Sequence, residues 1–516
     1  MIRPRRRSLA MIAVALHVSA AAAARNQQAG IRGVEGLIRA YDVILDARFD
    51  QVDAELRRAC GPAPQEACDV LAATALWWQI LLDPENRSLD EEFSEAVEHA
   101  IDTTQAWTTR APDAAEAWFY HGAAYAARVQ WRVLRNEKLS AARDGKRIKD
   151  AMERAIAIDP ELEDAHFGVG MYKYYADVAP TAAKILRFLF LLPGGDRKAG
   201  LAEMVRARTH GRLLQGEADY QLHVVYLWYE RQTPRALQLL RSLHERYPSN
   251  PLFIAQTAEI QDIYQHDVTA SLETWRTLLS AAREQRVNAP ALSEVQARLG
   301  MARQLEVLQQ TDDAIEQLQA VIAVRPAAPF GSLALAELRL GEAYDRLGVR
   351  AAAVDAYRAA AAAVPSPDVD EIAAATADRL RRAPDPKRAE AYRLSLDGWR
   401  RLEHNDVPAA AAAIDASLAL NGSDPVARYR AGRVQQARKN DAAALAHYDL
   451  AIKGARTCPA PILGYTYVEA ARILERQGKR ERAISNYRIA AALFGAAADT
   501  RAAAARALTR LKVTDR

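Results

Sequence analysis

The chain has 516 residues, 50% of them hydrophobic and 26% charged, which excludes a disordered chain and is too long for one ordinary core. The formal net charge of +4 equals the four arginines among residues 1–24, a stretch with no acids, so the remainder is formally neutral. That excludes a global positive field, and nucleic acid as an expected partner with it.

The elements follow in chain order. Residues 1–24 open with Arg3, Arg5, Arg6 and Arg7, continue through "LAMIAVALHVSA", and end in small residues at Ala24. This is the pattern of a cleaved export signal, and it predicts a protein of the periplasm or cell envelope. No cysteine follows the apolar stretch, so no lipid attachment site is expected. Cys60 and Cys68 flank the turn "GPAPQEA". Two readings stay open for them: a disulfide across the turn, or two buried thiols, with Cys458 unpaired in either case. "WWQILLDPENRSLDEEF" sets indole rings beside carboxylates, the pairing a carbohydrate hydrolase would use.

Trp118, Gly122 and Tyr125 read as one helix, and Ala155 with Pro160 as the end of its partner. About fourteen extra residues lie between them, an insertion near 129–142. The run Arg128–Lys149 carries eight Lys or Arg against Glu137 and Asp144. It predicts a solvated helix face with intrahelical ion pairs, the alternative being contact with an acidic partner or lipid headgroups. Ala182–Leu192 is apolar but too short to span a bilayer, which leaves a core helix or peripheral lipid contact. "PGGDR" after it reads as a helix break rather than a phosphate loop.

The segment Leu340–Pro365, "LGEAYDRLGVRAAAVDAYRAAAAAVP", has the logic of an antiparallel helix hairpin. Gly341 and Ala353 stand where backbones approach, Tyr344 and Tyr357 fill the space beside them, "LGVR" turns the chain, and Pro365 ends the second helix. The offsets recur. Ala236, Leu240, Leu243 and Pro248 hold them, as do Ala314, Leu318, Val321 and Pro326; Ala483, Tyr487 and Ala490; and, near the start, Val52, Leu56, Ala59 and Pro64. Gly398 and Gly432 head two further copies, the first followed by Ala410 and Ile414 and the second, at the same distances, by Ala444 and Tyr448. About eleven hairpins can be counted, roughly seven of them regular.

This order of small, aromatic and proline positions resembles the tetratricopeptide repeat, a 34-residue unit. The step from Gly398 to Gly432 matches that length. The resemblance implies an all-α, right-handed superhelical solenoid of antiparallel hairpins. It also implies a layout: an array over 25–365, a single-helix seam flanked by prolines over 366–390, and a second array over 391–516 closed by a capping helix. In that family the second, fifth, ninth and twelfth repeat positions line a concave groove. Counted from the repeat glycines, those positions hold Phe119, Phe167, Met171, Tyr174 and Trp228 in the first half. In the second half they hold Tyr392, Trp399, Tyr429, Arg433, Tyr465 and Arg472.

No HExxH, GxSxG or paired CxxC occurs, and Glu95 and His99 share a helix face without a third ligand. Catalytic residues, a metal and a cofactor are therefore not expected. The reading is a non-enzymatic scaffold that binds a protein or peptide in its groove. The alternatives are an all-α toroid hydrolase acting on carbohydrate, and a repeat protein associated with a lipid surface.

Overall fold

The structure, a computed structural model, describes residues 30–178 and 194–511. The expected export signal and the whole of the apolar stretch Ala182–Leu192 lie outside the described residues. Among the described residues the regular structure is helical throughout, and no helix is long and apolar enough to cross a membrane.

The chain divides into two compact units at Gln232 and Thr233. The first unit opens with α1 (Val34–Leu45) and α2 (Phe49–Ala59), then α3 (Gln65–Ile80) and α4 (Asp90–Arg110). It continues with α5 (Ala115–Leu134) and α6 (Lys138–Ile158), and α7 (Ala165–Val178) and α8 (Arg197–His210). It ends with α9 (Gln215–Val224), which runs into a π-helical turn, Val225–Tyr229. Cys60 and Cys68 are bridged between α2 and α3, with Cα atoms 6.2 Å apart. Cys458 is a buried free thiol whose pKa burial pushes up to about 12, which makes it inert.

The second unit begins with α10 (Thr233–Arg246), followed by α11 (Pro251–Ile263) with α12 (Val268–Arg283), and α13 (Pro290–Val307) with α14 (Thr311–Val324). Then come α15 (Ser332–Leu347) with α16 (Arg350–Ala362), and the lone α17 (Ile372–Arg381). The last hairpins are α18 (Pro386–Glu403) with α19 (Val407–Leu420), α20 (Pro425–Ala437) with α21 (Asp441–Lys453), and α22 (Ala460–Arg476) with α23 (Arg480–Ala492). A closing helix, α24 (Ala498–Arg510), covers the end of the array. Contacts of the second unit run across the Pro-flanked segment 366–390. Arg350 of α16 donates to the carbonyls of Arg379 and Leu380, and Thr311 and Tyr392 share a hydroxyl hydrogen bond of 2.6 Å.

Local chemistry starts these helices. Asn250, Asp385 and Asp424 cap α11, α18 and α20 with a side-chain oxygen on a first-turn N–H, and each is followed by a proline whose fixed φ suits the first helical position. Asp196 of "GGDR" likewise caps α8, accepting from the Ala199 amide at 2.9 Å.

Packing then repeats one device. A Cβ on Gly341 would sit 2.5 Å from the Tyr357 ring, and one on Gly398 the same distance from Ile414 Cγ1. Gly432 meets Tyr448 in the same way. All three pairs share a single offset in the sequence, so the glycine is what allows the large side chain of the second helix to close onto the first. Where the insertion lengthens the hairpin, Gly122 meets Met152 instead, much farther along the chain. The tyrosines are tied by a second contact: Tyr357 donates to Asp345 at 2.9 Å, Tyr448 to Gln436 at 2.5 Å and Tyr487 to Glu475 at 3.1 Å. Each acceptor lies 12 residues before its tyrosine, on the first helix of the same hairpin.

Candidate partner groove

The expected groove face of the first unit is not open. α9 returns to α1, where Tyr41 donates to Glu217 Oε2 at 3.0 Å. It also meets α3, where Trp78 and Tyr220 lie 4.8 Å apart, and α5, where Gln221 donates to Gln130. Phe119 and Tyr174 are fully buried and Phe167 nearly so; they are core residues rather than a lining. The physical reason is that an aromatic at helical spacing fills whichever space its neighbours leave, and here the neighbours enclose it. Tyr174 also donates to Glu230 at 2.6 Å, and Glu230 pairs with Arg197. Trp228, on the π-helical turn, is 61% exposed. Met171 is half-buried.

Two other features of this unit resolve as structure. Trp77 and Trp78 are buried, and the carboxylate of Asp90 is held by Arg135 and by the Trp131 indole N–H, so these rings offer no platform beside a free acid. In the basic run, Arg128, Arg132 and Arg147 converge on the buried Asp144, while Lys146 and Lys149 pair with Asp150 and Glu153 one turn on. His99 of α4 lies 3.6 Å from Asp69 of α3. Among the described residues no group of three or more His, Cys, Asp or Glu is placed to hold a metal ion.

In the second unit the structure brings four expected residues together. Trp399 and Tyr429 have ring centroids 6.0 Å apart, Arg433 lies over Trp399 at 5.9 Å and donates to the Tyr429 hydroxyl at 3.2 Å, and Tyr392 packs nearby under Arg346. This cluster is largely closed, with Tyr392 and Tyr429 buried. Arg430 fills its centre, donating to Ser395 Oγ and to the Gln309 carbonyl, and burial lowers its guanidinium pKa. Tyr465 is half-buried and Arg472, exposed, pairs with Glu469 at 2.6 Å.

An open site lies instead on the first helices of three consecutive hairpins. Glu259 and Asp262 of α11, Gln296, Leu299 and Arg303 of α13, and Leu335 and Arg339 of α15 line a cavity of about 240 Å³ floored by Trp275. A Cβ on Gly300 would strike the Trp275 indole, so this glycine lets α13 lie on the ring and leaves room above it. Arg303 pairs with Asp262 at 3.1 Å, and Arg339 donates to the Leu299 carbonyl at 3.0 Å. Burial disfavours the charged form of Arg339. Desolvation holds the carboxyl of Glu259 above its usual range although the residue keeps an exposed face; Arg303 opposes the shift and Asp262 adds to it.

Sequence reasoning missed this place because the hairpin has no repeat glycine. Ala302, buried, precedes the buried Leu318 by the same offset that separates Gly341 from Tyr357. Counting from Ala302, the inward positions of the tetratricopeptide pattern fall on Gln296, Leu299 and Arg303, all of which line the cavity. The signal was present in an alanine.

No protein-family model and no curated protein matches the chain. Among solved structures it is similar to a tetratricopeptide repeat protein from Parabacteroides merdae, at 14% identity and a TM-score of 0.25, over 56% of this chain and 97% of that one. It is also similar to the TPR2AB domain of yeast Sti1 in a pHSP90 complex, at 14% identity and a TM-score of 0.22, over 58% and 96% of the two chains. The Cut9–Hcn1 hetero-tetramer of the APC/C aligns over 92% of this chain and 89% of that one, at 13% identity and a TM-score of 0.25. The hairpins themselves, with their small residue, facing ring and shared acceptor at fixed offsets, carry the conclusion: the chain is an all-α array of helical hairpins whose repeat resembles the tetratricopeptide pattern.

Proposed function

We propose that the chain is a non-enzymatic scaffold of the periplasm or cell envelope that holds a protein or peptide partner against the inner face of its second unit. The observation that carries this reading is the cavity built from the first helices of three successive hairpins, with side chains of both charge signs at the repeat's inward positions. Stacked hairpins present such faces because each buries its second helix and leaves one face of its first uncovered. Export is supported by the basic and apolar start of the sequence and by the Cys60–Cys68 bridge, which suits an oxidising compartment.

Affinity capture from envelope extract tests it, using the full chain and an Arg303→Glu variant. Reversing that charge sets it against Asp262 inside the cavity. The expected outcome is a polypeptide partner retained by the parent chain and depleted about tenfold or more on the variant. Equal recovery on both, or recovery of no protein, contradicts the reading.

A further inference from the structure

We propose that the cavity over Trp275 takes the side chain of a basic residue, arginine or lysine, from an extended segment of the partner polypeptide. This rests on the reading of the groove above and specifies its chemistry.

Three independent observations point there. The first is charge. Arg303 is committed to Asp262, and Arg339 to a backbone carbonyl, whereas the carboxylates of Glu259 and Asp370 have no hydrogen bond or ion pair among the described residues. The carbonyl does not neutralise Arg339, so the three carboxylates of the lining exceed its two guanidiniums by one.

The second is hydrogen bonding. Gln304 and Ser332 both line the cavity and are 1% and 3% exposed, and Gln304 Oε1 and Ser332 Oγ have no hydrogen-bond partner among the described residues. Unsatisfied buried polar atoms are uncommon in a folded chain and ask for a cause. The Glu259 carboxylate and Gln304 Oε1 only accept, and the Ser332 hydroxyl can accept as well as donate. Arginine brings five N–H donors and no acceptor, and lysine three, so a basic side chain answers this set where an acidic one does not.

The third is size. At about 240 Å³ the cavity is below the roughly 300–1,000 Å³ of sites that enclose a small-molecule ligand, and it is open on one side. It suits one long side chain, with the chain that bears it lying across α11, α13 and α15. The stem of that side chain would run over Trp275 and Leu335, both of which line the cavity.

The test uses the full chain and fluorescence anisotropy with short labelled peptides of serine, alanine and leucine. The central residue is arginine, citrulline or glutamate, and a photoreactive residue placed at Gln296 reports where the peptide lies. The expected result is that the arginine peptide binds about tenfold or more tighter than the citrulline peptide and cross-links at position 296. Glu259→Gln, and more weakly Asp370→Asn, should remove that advantage. Both residues are exposed, so the variants should keep the parent circular dichroism spectrum, which is recorded alongside. If all three peptides cross-link at 296 with equal affinity, the cation subsite is refuted while the groove reading stands. If none cross-links there, both fall. If free arginine amide binds as tightly as the peptide, the occupant is a small guanidinium compound and the assignment to a polypeptide is refuted.

Discussion

At the scale of single residues, the fold rests on a small set of positions held at two fixed offsets. Gly341 has no side chain because the Tyr357 ring occupies that space, and Tyr357 is tied through its hydroxyl to Asp345, which also pairs with Arg350. The two contacts differ in kind, and so should the costs of losing them. Gly341→Ala forces a methyl group into a ring and should destabilise the second unit by about 1–3 kcal/mol. Tyr357→Phe removes one hydrogen bond, leaves Asp345 its arginine, and should cost about 1 kcal/mol. Urea titrations of the two variants check the order; equal costs, or a neutral Gly341→Ala, would mean that the close approach is not what sets the packing. The glycine, the alanine and the tyrosine were legible in the sequence. The acceptor was not, because it changes from Asp345 to Gln436 to Glu475 while keeping one role.

At the scale of elements, helix starts and hairpin offsets could be read directly, whereas the turns and the packing of inner faces could not. Gly348, with φ 78°, ends α15 as "LGVR" suggested, yet the equivalent turns use Gln309, Asn405 and Lys439 at positive φ, residues that announce nothing. α9 is a second example. Nothing in "QGEADYQLHV" says that it will fold back on α1, α3 and α5. Glu217 is the chemical mark of that docking. It is buried, takes hydrogen bonds from Tyr41 and Gln221, and has no cation among its hydrogen-bonding partners, so burial raises its carboxyl pKa. A folded-state pKa above the unfolded one means that the folded chain binds more protons. The contribution of Glu217 is therefore full below its unfolded pKa and is lost as pH rises through the folded value. Glu217→Gln should flatten that decline. Thermal melts of parent and variant between pH 4.5 and 7.5 should show the variant gaining on the parent as pH rises, and a constant difference would count against a buried, unpaired acid.

At the scale of the whole molecule, a chain of hairpins without catalytic motifs was legible in the sequence, but the position of the open cavity in the second unit was not. Counting inward positions from glycines led to Phe119, Tyr174, Tyr392 and Tyr429, which the structure buries. The open cavity sits in the hairpin where alanine replaces glycine, and polar rather than aromatic side chains line most of it. Tyr392 and Tyr429 are consumed by packing, whereas the cavity presents mainly charge and hydrogen-bonding capacity. The compact units also divide at Gln232 and Thr233, where no composition shift marks a boundary, while the Pro-flanked 366–390 segment is built into the second unit. The most direct measurement of the central claim is photo-crosslinking in living cells from Gln296 in the cavity, from Trp399 in the closed aromatic cluster and from Glu316 on the exposed face of α14. Capture of one polypeptide from position 296, with none from 316 and little from 399, is the outcome this account expects; capture from 399 or 316 with none from 296 would contradict it.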